Sequence, residues 1–263
     1  MNIFIMTDLE GITGVDSVEA VEAEKGSKEN IAASENLMSD ANAAIAGFFD
    51  GGATRVYITD GHGNGDNFIP EKLDKRARVL SVAQWSKAVA SGEIDAYAEI
   101  GMHAMAGTGN AFLDHTQIPL QWFDYQINGR SYGEFGIATA FGGIYGVPSI
   151  MVSGDAAACE EAKSFVGDIE TAIVKHAVGR NRAVSLPANE ARERIYRAAK
   201  NAVGLVGKID PYRFLQPAEI RLTLQRTDCC DSLLERSKDA ERVDGRTLRK
   251  YVSKAESYFD FFI

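Results

Sequence analysis

Short β-branched and aromatic runs alternate with segments of helical periodicity through the first 180 residues of this 263-residue chain. That alternation constrains the fold more than any other feature. Parallel strands need a crossover long enough to hold a helix, so regular succession implies a mostly parallel sheet flanked by helices. The strand-like runs are Asn2–Thr7, Arg55–Thr59, Arg78–Val82, Ala96–Met102, Ser149–Val152 and Thr171–Val178. Helical spacing predicts Ser34–Phe49, a helix near Trp85–Ala90, Phe135–Tyr145 and Ala156–Val166. The first of these stops at Gly51-Gly52, a helix C-terminal signal. Trp122–Ile127 and Arg130–Tyr132 flank Asn128-Gly129, which supplies the positive φ of a tight hairpin turn. After Arg180 come a charged helix, Ala188–Val203, an alternating run, Glu219–Leu224, and a short strand near Arg246–Val252. An aromatic tail, Tyr258-Phe259-Asp260-Phe261-Phe262, reads as core or subunit interface. The expected architecture is α/β: a main domain over residues 1–180, and a smaller α+β portion over 181–263 packed on it.

The chemistry gathers at the strand ends. The first strand runs into Asp8 and Glu10, the second into Asp60 and His62, the fourth into His103. Ligands of a parallel sheet bind beyond the carboxyl ends of its strands, so three strands deliver metal-capable side chains to one edge. Residues i and i+2 share a face, which lets Asp8 and Glu10 converge on one site, and likewise Asp60 and His62. Glu134, after Tyr132-Gly133 at a helix start, is placed to enter from the side. Taken singly, each histidine is more often structural and each strand-end carboxylate more often a turn former; their joint arrival favours a metal site. A mixed carboxylate and imidazole set without thiolates suits zinc, manganese, cobalt or iron better than calcium or structural zinc. Five ligands exceed what one tetrahedral ion with an open position takes, and fit two ions ~3.5–4 Å apart.

Charge and composition exclude other classes. Thirty-seven acidic against 28 basic residues give a net charge of −9, which argues against sequence-independent nucleic-acid binding. The three cysteines, two of them adjacent at Cys229 and Cys230, make no disulfide framework and read as reduced thiols of a cytoplasmic protein. The first residues lack the basic start of a signal peptide, and no run approaches the length of a membrane span. His176 sits in an apolar strand pattern and reads as structural. Gly129-Arg-Ser131-Tyr-Gly133 matches the nucleophile-elbow pattern, but it follows a hairpin rather than a strand-to-helix turn and is discounted.

At these residues the chain resembles the DppA-like D-aminopeptidase family (peptidase family M55). The matching segments are Asp8-Leu-Glu-Gly-Ile-Thr-Gly14, Asp60-Gly-His-Gly63 with Asn67, and Gly101-Met-His-Ala-Met-Ala-Gly107. Further on come Phe112-Leu-Asp-His-Thr116, Asn128-Gly129 to Gly133-Glu-Phe-Gly136, and Val147-Pro to Val152-Ser-Gly-Asp155. They run in order across residues 1–180, with a looser fit beyond. The resemblance implies two Zn²⁺ per chain, with Mn²⁺ or Co²⁺ as substitutes, bound by Asp8, Glu10, His62, His103 and Glu134. It makes Asp8 the bridge and gives His115 a catalytic role, as nucleophile or proton shuttle. It also implies a ring-shaped homo-oligomer, a decamer, and short peptides with N-terminal D-residues as substrates. The competing functions are another dinuclear metallohydrolase, an amidase or a phosphoesterase, and a non-catalytic metal- or peptide-binding protein.

Overall fold

Asn2–Thr7 (β1) is buried along most of its length and pairs in parallel on both sides, which sets the centre of the molecule. The computed structural model describes residues 1–263. On one side of β1 lies β2 (Arg55–Asp60), and beyond it β3 (Ala77–Val79). Between β1 and β2 the chain forms α1 (Val18–Val21) and α2 (Lys28–Asp50). After β3, α3 (Val82–Ala90) carries the chain back across the sheet to β4 (Ala96–Met102), on the other side of β1. The crevice between β1 and β4 is thus the point where the strand order reverses, the usual ligand position in such sheets.

From β4 the chain leaves for a second, antiparallel sheet through the hairpin β5 (Trp122–Ile127) and β6 (Arg130–Ser131). Asn128 and Gly129 have φ of 51° and 79°, the two positive values the expected turn requires. α4 (Glu134–Ile144) returns it to β7 (Ser149–Asp155), and α5 (Ala156–Val166) leads on to β8 (Glu170–Gly179). β9 (Arg182–Ser185) closes this sheet antiparallel to β8, giving the order β3-β2-β1-β4-β7-β8-β9. α6 (Ala188–Ala202) follows, then β10 (Ala218–Leu224), α7 (Thr227–Leu234), β11 (Ala240–Arg242) and β12 (Thr247–Val252). The second sheet is ordered β11-β12-β10-β5-β6.

Sheet membership therefore crosses residue 180 in both directions. β9 joins the parallel sheet, while β5 and β6 join the antiparallel one. On one face of the parallel sheet α2 packs Leu37, Ala41, Ile45 and Phe48 into a core shared with Ile195 and Ala199 of α6. On the other face α3, α4 and α5 bury Trp85, Phe141 and Phe165 in a core shared with Leu222 of β10. Trp85 stacks on Phe4 and Tyr97 with ring centroids 5.1 and 5.7 Å away, so truncating it would cost about 3–5 kcal/mol. No helix is long and apolar enough to cross a membrane.

Several boundaries differ from the sequence-based expectation. α2 begins at Lys28, because Ser27 accepts a hydrogen bond from the Asn30 amide and caps it six residues before the apolar spacing becomes regular. The strand expected over Arg78–Val82 ends at Val79: Ser81 and Gln84 form a capping box that starts α3 at Val82. His176 is exposed on β8, and it is the neighbouring Lys175 that is buried. α1, α7, β9 and β11 are short and partly exposed, and no periodicity marks them. In the aromatic tail Tyr258 and Phe261 are core, whereas Phe259 is 53% exposed. All three cysteines are free and buried.

Gly101 lets β4 meet the end of β1. Its φ is +84°, and a Cβ there would strike the Asp8 carbonyl oxygen and the Ile12 side chain. Gly101→Ala should lower stability by about 2–4 kcal/mol, from positive φ and overpacking together. Gly109→Ala, where a Cβ meets nothing within 4 Å, should stay within about 0.5 kcal/mol of the parent. Urea unfolding midpoints of the two variants decide it; equal midpoints would contradict the close approach.

Candidate metal centre

Three strand ends and one helix start converge above the crevice. Asp8 follows β1, and its amide donates to the Ile100 carbonyl (2.9 Å); the Gly11 amide donates to the Gly101 carbonyl (2.7 Å). These two bonds clamp the turn bearing Asp8 and Glu10 onto the end of β4, directly before His103. From inside, the buried ammonium of Lys175 donates to the Glu10 carbonyl (2.7 Å) and to the Val15 carbonyl. Glu134 opens α4 immediately after its N-cap, Gly133, where the helix dipole favours a carboxylate. A side chain at Gly133 would strike Glu161 and Met105, so only glycine lets the helix start this close.

All five expected ligands meet here. His62 Nδ1 lies 2.9 Å from Asp8 Oδ1 and 3.1 Å from Glu10 Oε2. His103 Nε2 lies 3.2 Å from Asp8 Oδ2 and 3.5 Å from Glu134 Oε1. Asp8 thus turns one oxygen to each imidazole. Ligand atoms of Asp8, Glu10 and His103 lie within 4.8 Å of one another, as do those of His103, His115 and Glu134. His115 stacks on His103 with centroids 3.9 Å apart, and its Nε2 is 3.7 Å from Glu134 Oε1. A carbonyl oxygen only accepts, so Nδ1–H of His103 donates to Ala104 (3.0 Å) and Nδ1–H of His115 to Leu113 (2.7 Å). Both rings are left with Nε2 facing the carboxylates.

The donors fit a cation better than one another. Glu10 Oε2 and His103 Nε2 are buried and have no aligned hydrogen-bond partner, although oppositely charged groups stand just over 3 Å away. Burial opposes charge on His62, yet Glu10 and Asp8 outweigh it and push that imidazole up to about 11. Burial likewise opposes charge on His103, which Asp8 and Glu134 raise well above the ordinary value. Burial would raise Asp8, but His103 and His62 hold it well below the usual carboxylate range. Glu134 is also lowered, with His103 outweighing burial. Several carboxylates close together demand positive charge. Metal ions supply it without protonating the imidazoles.

Two neighbouring residues take other roles. Asp60 accepts from the amides of Asn67 (2.6 Å) and His62 (3.3 Å), so it shapes the His62 loop rather than joining the cluster. Asp114 accepts from the Gly107 amide (2.8 Å) and pairs with Arg180 (3.2 Å). Two cavities flank the cluster. A cleft of about 650 Å³ reaches Glu10, His62, His115 and Glu134, with Arg180 and the exposed Leu120 at its edge. A second cavity of about 320 Å³ also reaches Asp8 and Glu134 and contains Glu99. Glu99 and Lys175 escape a reading of the sequence by motif. Their one signal is a charge inside an otherwise apolar strand, Ala96–Met102 for the first and Ala172–Val178 for the second.

The comparisons with known proteins agree with one another. A family profile described as D-aminopeptidase, Peptidase_M55, matches residues 1–263. A D-aminopeptidase of Bacillus subtilis (strain 168) is 31% identical over 185 residues, which is 69% of this chain and 66% of that protein's length. The chain thus spans about two thirds of that relative. The solved structure of the Zn-dependent D-aminopeptidase DppA from Bacillus subtilis, described as a self-compartmentalizing protease, superposes with a TM-score of 0.90. That superposition covers 99% of this chain and 95% of DppA at 23% identity, and it shows the shared fold. With the whole chain matched by one profile, the protein belongs to the D-aminopeptidase family, peptidase family M55.

Proposed function

We propose that this chain is a zinc-dependent aminopeptidase that removes N-terminal D-residues from short peptides. Asp8, Glu10, His62, His103 and Glu134 would hold two cations, with Asp8 shared between them. The observation that carries this reading is Asp8 itself, whose two oxygens face two different imidazoles at 2.9 and 3.2 Å. The donor set holds nitrogen and oxygen and no thiolate, which suits Zn²⁺ and accepts Mn²⁺ or Co²⁺. Bound there, the cations would supply Lewis acidity, polarising the scissile carbonyl and acidifying a water.

The remaining work falls to the chain. His115 is anchored through Nδ1 on Leu113, which leaves Nε2 facing Glu134. That nitrogen takes the proton of the attacking water and returns it to the departing amine. Glu134 is held in turn by the Gln117 amide (2.7 Å), which ties the loop before β5 to the start of α4. The cleft on the His115 side is open enough to receive the rest of a short peptide. Free, buried cysteines suit a reducing compartment, and we place the protein in the cytoplasm. A ring of identical subunits accounts for the exposed Ile118, Leu120 and Phe123 beside the cleft, because exposed apolar groups clustered in this way mark interfaces.

Hydrolysis of D-Ala and L-Ala p-nitroanilides and of D-Ala-D-Ala, before and after chelation, tests the activity. Chelator-sensitive cleavage of the D-substrates is expected; metal-loaded protein that cleaves neither enantiomer would overturn it. His115→Ala should lower kcat by about 10²–10⁴-fold while metal content is retained. Asp8→Ala should lose both ions together, as counted by elemental analysis. Loss of only one would contradict the shared carboxylate.

A further inference from the structure

We propose that the cavity of about 320 Å³ beside the metal centre receives the side chain of the substrate's N-terminal residue. Glu99 at its floor selects a side chain with an apolar stem and a terminal amine, of the lysine or ornithine kind. This inference rests on the aminopeptidase reading above and names the substrate class of that site.

The ladder between β1 and β4 sets the depth. Met6 is in register with Glu99, and Thr7 with Ile100. Side chains alternate along a strand, so Phe4, Met6 and Asp8 share one face of the sheet. Tyr97 and Glu99 occupy the same face of β4, as the stacking of Phe4 on Tyr97 (centroids 5.9 Å) requires. Glu99 therefore stands two residues below the level of Asp8, roughly 6–7 Å at ~3.3 Å per residue. An extended lysine side chain spans about that depth when its Cα lies at the level of the metal ligands.

The lining matches such a side chain. Met6, Val82, Met102, Tyr258, Phe259 and Phe262 make apolar walls around the path from Asp8 and Glu134 to Glu99. Glu99 is 2% exposed; one oxygen accepts from the Tyr97 hydroxyl, and Oε2 has no partner. A buried, unpartnered carboxyl oxygen is costly, and an entering ammonium gives it the donor it lacks. An apolar side chain of equal length would fill the cavity and leave the oxygen orphaned. Burial, with Glu134 and Asp8 nearby, pushes the Glu99 carboxyl up to about 8, and an ammonium entering beside Oε2 would favour its ionised form. A pocket built to bond a polar group discriminates strongly against the analogue that lacks it.

The test compares kcat/KM for D-Lys, D-Orn and D-norleucine p-nitroanilides with the metal-loaded enzyme. D-Lys should exceed D-norleucine by about 10–100-fold, and the ratio should fall at least tenfold in Glu99→Gln and invert in Glu99→Leu. The ratio is taken within each variant, so lower overall activity does not obscure it. The isosteric Glu99→Gln keeps the test available where the leucine variant does not fold. Calorimetry gives a second readout: free D-lysine should bind the parent more tightly than D-norleucine does, and Glu99→Gln should lose that difference. Preference for D-norleucine, or a ratio unmoved by either substitution, would overturn the pocket while D-Ala turnover left the aminopeptidase reading standing. No cleavage of any D-substrate would overturn both.

Discussion

Three carboxylates and two imidazoles share the crevice at the carboxyl ends of β1 and β4, and that concentration of donors governs the architecture around it. Water reaches the cluster poorly: His103 is 2% exposed and Glu10 4%. In such a place like charges are tolerated only if cations or protonated rings stand among them. The surrounding structure reads as a device for forcing the donors together. Backbone clamps from Asp8 to Ile100 and from Gly11 to Gly101 draw two strand ends into contact, and a side chain at Gly101 would strike the Asp8 carbonyl. Lys175 anchors the same turn from beneath.

The two sheets divide the work. The parallel sheet delivers Asp8, Glu10, His62 and His103 from the ends of three neighbouring strands, β1, β2 and β4. The antiparallel sheet supplies the fifth group indirectly: the β5–β6 hairpin leads, through Tyr132, into Gly133, the N-cap of the helix that begins with Glu134. The C-terminal aromatics that follow β12 return to wall the cavity under the metal centre. One wall of the pocket thus comes from a stretch of chain that carries none of the five donors, while its floor, Glu99, lies on the strand that leads to His103.

Much of this was legible in the residues. Buried parallel strands are near-continuous apolar runs and helices keep a 3.6-residue apolar period, so β4 and α5 fall where hydrophobic pattern puts them, and strand-end Asp, Glu and His mark the candidate site. Capped helix starts were less visible: α2 and α3 begin several residues before their apolar spacing becomes regular, because Ser27 and Ser81 set the boundary by hydrogen bonding. Short exposed elements such as β9 and α7 carry no periodic signal. Sheet membership is also hidden, since β9 and α6 pack on the parallel sheet after the composition has shifted. Within the site, the five clustered side chains were readable from strand-end position and spacing, whereas Glu99 and Lys175 depend on which strand lies beside which, a fact of topology.

Anomalous X-ray scattering from crystals of the zinc-loaded protein, recorded above and below the zinc edge, tests the central claim most directly. The account predicts two peaks about 3.5–4 Å apart, with Asp8 between them, one beside His62 and Glu10 and the other beside His103 and Glu134. A single peak, or peaks away from these five residues, would contradict it.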